Sequence, residues 1–185
     1  MKTVCCLGLL LCVVQLTSCG DDSAAAVGGT VELGAMAPDF EVTELSTGKQ
    51  VKLSDFKGKV VVAEFWWSKC GLCNDKMDHL QPFISEHGDW GDGVVYLGVS
   101  IDPTMQSAKR HVSAVEAEEN RGWSKTKNCW LDSDHGESPI YAAYVAETGI
   151  PVCYVIDREG KVAAIELSTN PDGLDFEQTI GGLLK

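Results

Sequence analysis

Apolar runs and alternations divide the chain into strands and helices from Pro38 onward. Val60 to Trp67 is a nearly unbroken apolar run of strand length, rich in β-branched and aromatic residues and carrying one acid, Glu64. Such a run marks a central strand covered on both faces. Val94 to Ile101 is a second one, and Val51-Lys52-Leu53 alternates as a short strand before a turn over 54–59. Between the two buried strands, Met77, Leu80, Phe83, Ile84 and His87 recur at helical spacing, with Gly88 as a natural stop. Asp102-Pro103 predicts a helix start, the helix reaching about Asn120. Ser138-Pro139 predicts another, with Ile140, Tyr141, Tyr144 and Val145 on its apolar side. Strands at 152–156 and 161–167 are joined by Asp157-Arg158-Glu159-Gly160, a hairpin turn ending in glycine, and 175–184 closes the chain as a helix. Strands alternating with helices and then a hairpin predict an α/β fold, a three-layer sandwich with a mixed central sheet flanked by helices.

The first residues stand apart from this pattern. Lys2 precedes an apolar stretch from Val4 to Leu16, too short to span a bilayer comfortably and suited to a signal-peptide core. Leu16-Thr17-Ser18-Cys19 resembles the lipobox of bacterial lipoproteins, which implies a signal peptide over 1–18 and lipid modification of Cys19. The alternatives are an ordinary signal peptide cut elsewhere or an uncleaved anchor. Residues 19–34 show no apolar periodicity and read as a flexible tether, leaving 35–185 as one domain. The formal charge of −12 argues against nucleic acid and against electrostatic adhesion to anionic lipid. Membrane attachment is therefore expected through acyl chains, in the bacterial cell envelope outside the cytoplasm (periplasmic in a Gram-negative cell).

Cys70-Gly71-Leu72-Cys73 falls where the first buried strand runs into its helix. A thiol at a helix N-terminus meets unpaired backbone N–H groups and the positive end of the helix dipole, and both favour thiolate. A second sulfur one turn away can resolve a mixed disulfide made by the first, so the pair predicts a redox site. No second Cys-x-x-Cys or His-x-x-x-His completes a zinc site, and neither a metal nor a cofactor is expected. Cys129 and Cys153 both lie among apolar residues, either as a structural disulfide or as buried small hydrophobes. His79, His87, His111 and His135 form no spacing motif.

The segment Leu53-Ser54-Asp55-Phe56-Lys57-Gly58-Lys59-Val60-Val61-Val62, running into Trp66 and Cys70-Gly71-Leu72-Cys73, resembles the TlpA/ResA-type membrane-attached thioredoxin-like proteins, in the redoxin branch of the thioredoxin superfamily. Gly149-Ile150-Pro151 and Val155-Ile156-Asp157-Arg158-Glu159-Gly160-Lys161 share the resemblance, which covers nearly all of the chain after Pro38. It implies a thioredoxin-like fold and a thiol–disulfide oxidoreductase, with Cys70 as the attacking thiol and Cys73 as the resolving one. It further implies a cis bond before Pro151, facing the redox pair and helping to present an extended substrate; a trans proline starting an edge strand is the alternative. Trp67, Ile150 and Pro151 are the candidate substrate-binding residues, and Ile150 matches the reducing thioredoxins. Implied partners are protein thiols and disulfides, apocytochrome c among them, and a membrane electron donor or acceptor.

Glu64 lies six residues before Cys70, where thioredoxins place a buried acid near the resolving cysteine. An acid inside an apolar strand is costly unless neutral or paired, and burial raises its pKa toward the range useful for proton transfer. Glu64 is thus the candidate proton acceptor for Cys73, against the alternative of a strand-end Glu reaching solvent. The chain departs from thioredoxin in its Gly-Leu dipeptide, in Trp67 and Lys69, and in Asp78 where a helix proline is usual. Two other functions compete. A peroxiredoxin-like peroxidase shares the Leu-Ser-Asp-Phe-Lys-Gly-Lys text, but wants Thr where this chain has Trp67. A copper-binding thioredoxin-like module would use Cys70, Cys73, Met77 and His79 as soft ligands.

Overall fold

The computed structural model describes residues 30–118, 123–132, 137–167 and 173–185. The predicted signal peptide, Cys19 and most of the tether lie outside the described residues. Seven described strands form one sheet: β1 (Glu41–Glu44), β2 (Gln50–Lys52), β3 (Val60–Trp66), β4 (Val94–Ser100), β5 (Lys127–Trp130), β6 (Val152–Ile156) and β7 (Val162–Glu166). Their spatial order is β2-β1-β5-β4-β3-β6-β7. β3, β4 and β5 run parallel, and every other neighbouring pair is antiparallel. The helices are α1 (Gly71–Glu86), α2 (Met105–Glu116), α3 (Pro139–Tyr144) and α4 (Phe176–Leu183).

β3 is the organising strand, buried along its whole length between β4 and β6. Its side chains alternate between two cores, as strand geometry requires. Val61, Ala63 and Phe65 pack with Phe40, Ala143, Tyr144 and Tyr154 on the α3 side. On the opposite side, Val60 and Val62 pack with Ile180 of α4, and Trp66 with Cys73, Met77 and Leu80 of α1 and Val112 of α2. Helices therefore cover both faces, giving the three-layer α/β sandwich expected from the pattern. Each buried valine of β3 contributes roughly 1.5–3 kcal/mol relative to exposure, so β3 is a rigid base for the residues that follow it.

Several expectations shift. β1 and β5 are too short, and too mixed in polarity, for a period-2 pattern to reveal them. α2 begins at Met105, capped by the Thr104 hydroxyl accepting from Ser107 N–H at 3.2 Å, rather than at Asp102-Pro103. Asp102 is committed elsewhere: its carboxylate accepts from Ser68 and Ser100 hydroxyls at 2.5 and 2.7 Å. Pro82 is accommodated inside α1. Packing also begins ahead of residue 35, since Val31 is buried and its N–H donates to Ala143 C=O at 3.2 Å.

Cys129 and Cys153 are free and buried. They sit on β5 and β6, which β4 and β3 separate in the sheet. Three inter-strand spacings of about 4.8 Å put them ~14 Å apart, far beyond disulfide reach. Of the two alternatives, buried small hydrophobes is the one realised.

Candidate active site

β3 delivers its chain to the redox pair through a short tied loop. Ser68 donates from both N–H and hydroxyl to Asp102, and Ile101 N–H donates to Trp66 C=O at 2.9 Å. The loop after β3 is thus clamped to the loop after β4, at the carboxyl ends of the parallel strands where α/β folds open a crevice. Asp102 is buried and Trp130 Nε1 donates to its backbone carbonyl at 2.7 Å. This clasp was not legible in the sequence.

Cys70 and Cys73 are joined as a disulfide with Cα atoms 5.2 Å apart. Cys70 is the N-cap of α1, half-buried, and its sulfur accepts from Cys73 N–H at 3.2 Å. Cys73 is fully buried beneath it, packed with Trp66 and Met77. The two sulfurs are therefore unequal: one is reachable and held at a helix N-terminus, the other sits in the core. Leu72 between them is 58% exposed. The Lys69 ammonium lies 5.8 Å from the Trp67 ring centroid.

The Ile150–Pro151 bond is cis. The β3–β6 register pairs Phe65 with Val152, which puts Pro151 and Ile150 beside the end of β3 where the chain turns toward Cys70. Ile150 and Cys70 border the same hydrophobic cluster. Trp67 is half-buried, and its indole N–H is enclosed without a hydrogen-bond partner.

Glu64 is 1% exposed. Its neighbours on β3 place it on the α1 side, the same side as Cys73 and Lys76. Neither carboxyl oxygen has a hydrogen bond of standard geometry, and the Cys153 thiol, directly across the β3–β6 ladder, is the polar group closest in register. Burial pushes Glu64 from 4.5 up to about 8; the Lys76 ammonium and the Cys153 thiol pull against that rise and Glu166 adds to it. Burial, reinforced by the Glu64 carboxyl, also pushes the Cys153 thiol well up, and burial takes Cys129 to about 12. Both free thiols are thus protonated and inert at neutral pH.

The soft-ligand set does not converge. Met77 is fully buried, while His79 is exposed on another side of α1 with Nδ1 2.6 Å from Asp75 C=O. Among the described residues no three His, Cys, Asp or Glu side chains gather as a metal site.

The disulfide at the strand-to-helix junction, the cis proline that precedes β6 and the buried acid on β3 are all carried by the centre of one sheet. Residues 33–165 match the AhpC/TSA family. The chain belongs to that family. Among relatives, it is 34% identical over 139 residues to the thiol-disulfide oxidoreductase ResA of Geobacillus kaustophilus, covering 75% of this chain and 71% of that protein. ResA of Bacillus thuringiensis is 28% identical over 132 residues, covering 71% of this chain and 68% of that protein. Among solved structures, a thiol:disulfide interchange protein from Bacteroides sp. superposes with a TM-score of 0.58 at 27% identity, covering 76% of this chain and 84% of that one. The thioredoxin domain of a thiol-disulfide oxidoreductase from Bacteroides vulgatus gives 0.57 at 26% identity, covering 75% and 91%. The fold is thioredoxin-like, and this AhpC/TSA member is a thiol–disulfide oxidoreductase with Cys70–Cys73 as its redox pair.

Proposed function

We propose that the protein is an exported, lipid-anchored reductase of protein disulfides, held at a bacterial membrane through Cys19. The observation that carries the chemistry is the inequality of the two sulfurs above a buried acid. The Cys70 thiolate attacks a substrate disulfide; a Cys70–substrate disulfide forms, and one substrate thiolate leaves. Cys73 then gives its proton to the Glu64 carboxylate and attacks the Cys70 sulfur. The second substrate thiolate leaves, the protein is oxidised to the Cys70–Cys73 disulfide, and the substrate is reduced by two electrons.

Two features support the reducing direction. Ile150 before the proline is the residue the reducing thioredoxins carry. An acid able to take the Cys73 proton serves the resolving step. Trp67, Ile150 and the exposed Leu72 form the surface for an extended substrate, with Pro151 buried next to Ile150. Apocytochrome c, its disulfide reduced to two thiols with electrons drawn from a membrane donor, is the substrate that the resemblance to TlpA/ResA-type proteins suggests.

Fractionation with acid-trapped thiols tests this reading. In cells making the full chain, Cys70 and Cys73 should be reduced and the protein membrane-bound, and Cys19→Ser should release it with exchange activity intact. A pair found oxidised at steady state would overturn the reductase direction, and continued membrane binding of Cys19→Ser would overturn the lipid anchor.

A further inference from the structure

Glu64 is sealed from solvent, so its surroundings decide when it holds a proton. From α1, Cys73, Lys76 and Met77 point into the interior. Lys76 Nζ donates to Glu166 Oε2 at 2.5 Å, with both side chains 6% exposed, and lies 5.0 Å from the Phe176 ring centroid of α4. The strand registers pair Glu64 with Cys153 and Cys153 with Glu166. Paired residues on neighbouring strands point to the same face, so Glu64, Cys153 and Glu166 form one row across β3, β6 and β7, beneath α1.

Among the described residues, the ionisable groups around Glu64 are few. α1 contributes Cys73 and Lys76; β6 contributes Cys153; β7 contributes Glu166; β4 contributes Tyr96 and the featureless Gly98; α4 presents Phe176 and Ile180. Stability alone does not explain the pair, because a buried ion pair is often no better than hydrophobic residues of the same volume. Its charges act on Glu64 in opposite senses: the ammonium favours the carboxylate, and the Glu166 carboxylate opposes it.

We propose that the buried Lys76–Glu166 ion pair sets the pH at which Glu64 gains and loses its proton, and with it the pH window of the resolving step, so that the edge strand β7 controls a group on the central strand. Lys76 and Glu166 are positioning residues, since neither is placed at the reacting sulfurs. The kinetic half rests on the role given to Glu64 above.

The test reads Glu64 and the reaction separately. In the oxidised protein, where neither redox cysteine titrates, the carboxyl carbon of Glu64 is followed by NMR across pH, with Glu64→Gln to identify its signal. In the reduced protein, the resolving rate is followed across the same range. Lys76→Met should raise the Glu64 midpoint by about one pH unit or more, and Glu166→Gln should lower it. Lys76→Arg should hold the wild-type midpoint. Lys76→Met/Glu166→Gln, which removes both charges of the pair, should fold and fall between the single variants. Equal midpoints in all variants, or shifts in the same direction for both single variants, would overturn the proposal. Opposite carboxyl shifts with an unmoved rate profile would support the control of Glu64 by the pair, and would overturn instead the assignment of Glu64 as proton acceptor.

Discussion

Replacing Glu64 by Gln removes a titration while keeping the shape of the side chain. The carboxyl titrates near 4.5 when solvated and at about 8 in the folded protein. An acid with a raised folded pKa binds its proton more tightly in the folded state. Its stabilising contribution is therefore complete below the unfolded value, falls as pH rises, and is lost above the folded value. Integrating proton linkage between pH 5 and pH 8 gives a loss of about 3–4 kcal/mol from this group alone. Glu64→Gln should not suffer that loss, so its stability relative to wild type should rise by that amount between pH 5 and pH 8. Taking the difference cancels every other titrating group common to both proteins. Urea unfolding of the oxidised proteins at several pH values, analysed with a common slope, measures it. Parallel stability curves for wild type and variant would refute the raised pKa. Kinetically, loss of a general base should slow the resolving step by about 100-fold or more near neutral pH, leaving the first attack by Cys70 unchanged. An unchanged resolving rate would make Glu64 a structural residue only.

Asp102→Ala should cost about 3–6 kcal/mol, because Ser68 and Ser100 each lose a hydrogen bond to the carboxylate; it should also increase hydrogen exchange in the loop carrying Cys70, and wild-type exchange there would contradict the clasp. Alkylation of the oxidised protein in denaturant without reductant should label Cys129 and Cys153 and spare Cys70 and Cys73, read by peptide mass spectrometry. Protection of Cys129 and Cys153 would contradict their separation in the sheet.

What was legible in the sequence follows from how strongly each signal is local. The long apolar runs of β3 and β4 and the helical spacing after Cys73 announce themselves, because burial on both faces leaves no room for polar residues. The hairpin at Gly160, with φ of +91°, is written in its turn residues. Cys70, Cys73 and Glu64 stand out in the sequence as candidates because three chemically unusual residues fall close to one strand-to-helix junction. β1 and β5 were missed because four residues carry too little periodicity. Asp102 reads locally as a helix cap, whereas its carboxylate is used across the crevice by Ser68. Lys76 and Glu166 are 90 residues apart, and nothing local in the sequence marks them as a pair. Only sheet order, which fixes β7 beside β6 beside β3, brings Glu166 under α1 and within reach of Lys76. Their sole sequence signal is that Lys76 lies three residues after Cys73, on the same helical face.

The division of labour between the two sulfurs is tested most directly by trapping the mixed disulfide. Reduced Cys73→Ser and Cys70→Ser proteins are each mixed with a disulfide-linked peptide, quenched in acid and read by mass spectrometry. Cys73→Ser should accumulate one peptide on Cys70, which sits half-buried at the N-terminus of α1, while Cys70→Ser should accumulate none, since Cys73 is sealed in the core. A stable peptide adduct on Cys73, or none on Cys70, would contradict that division of labour.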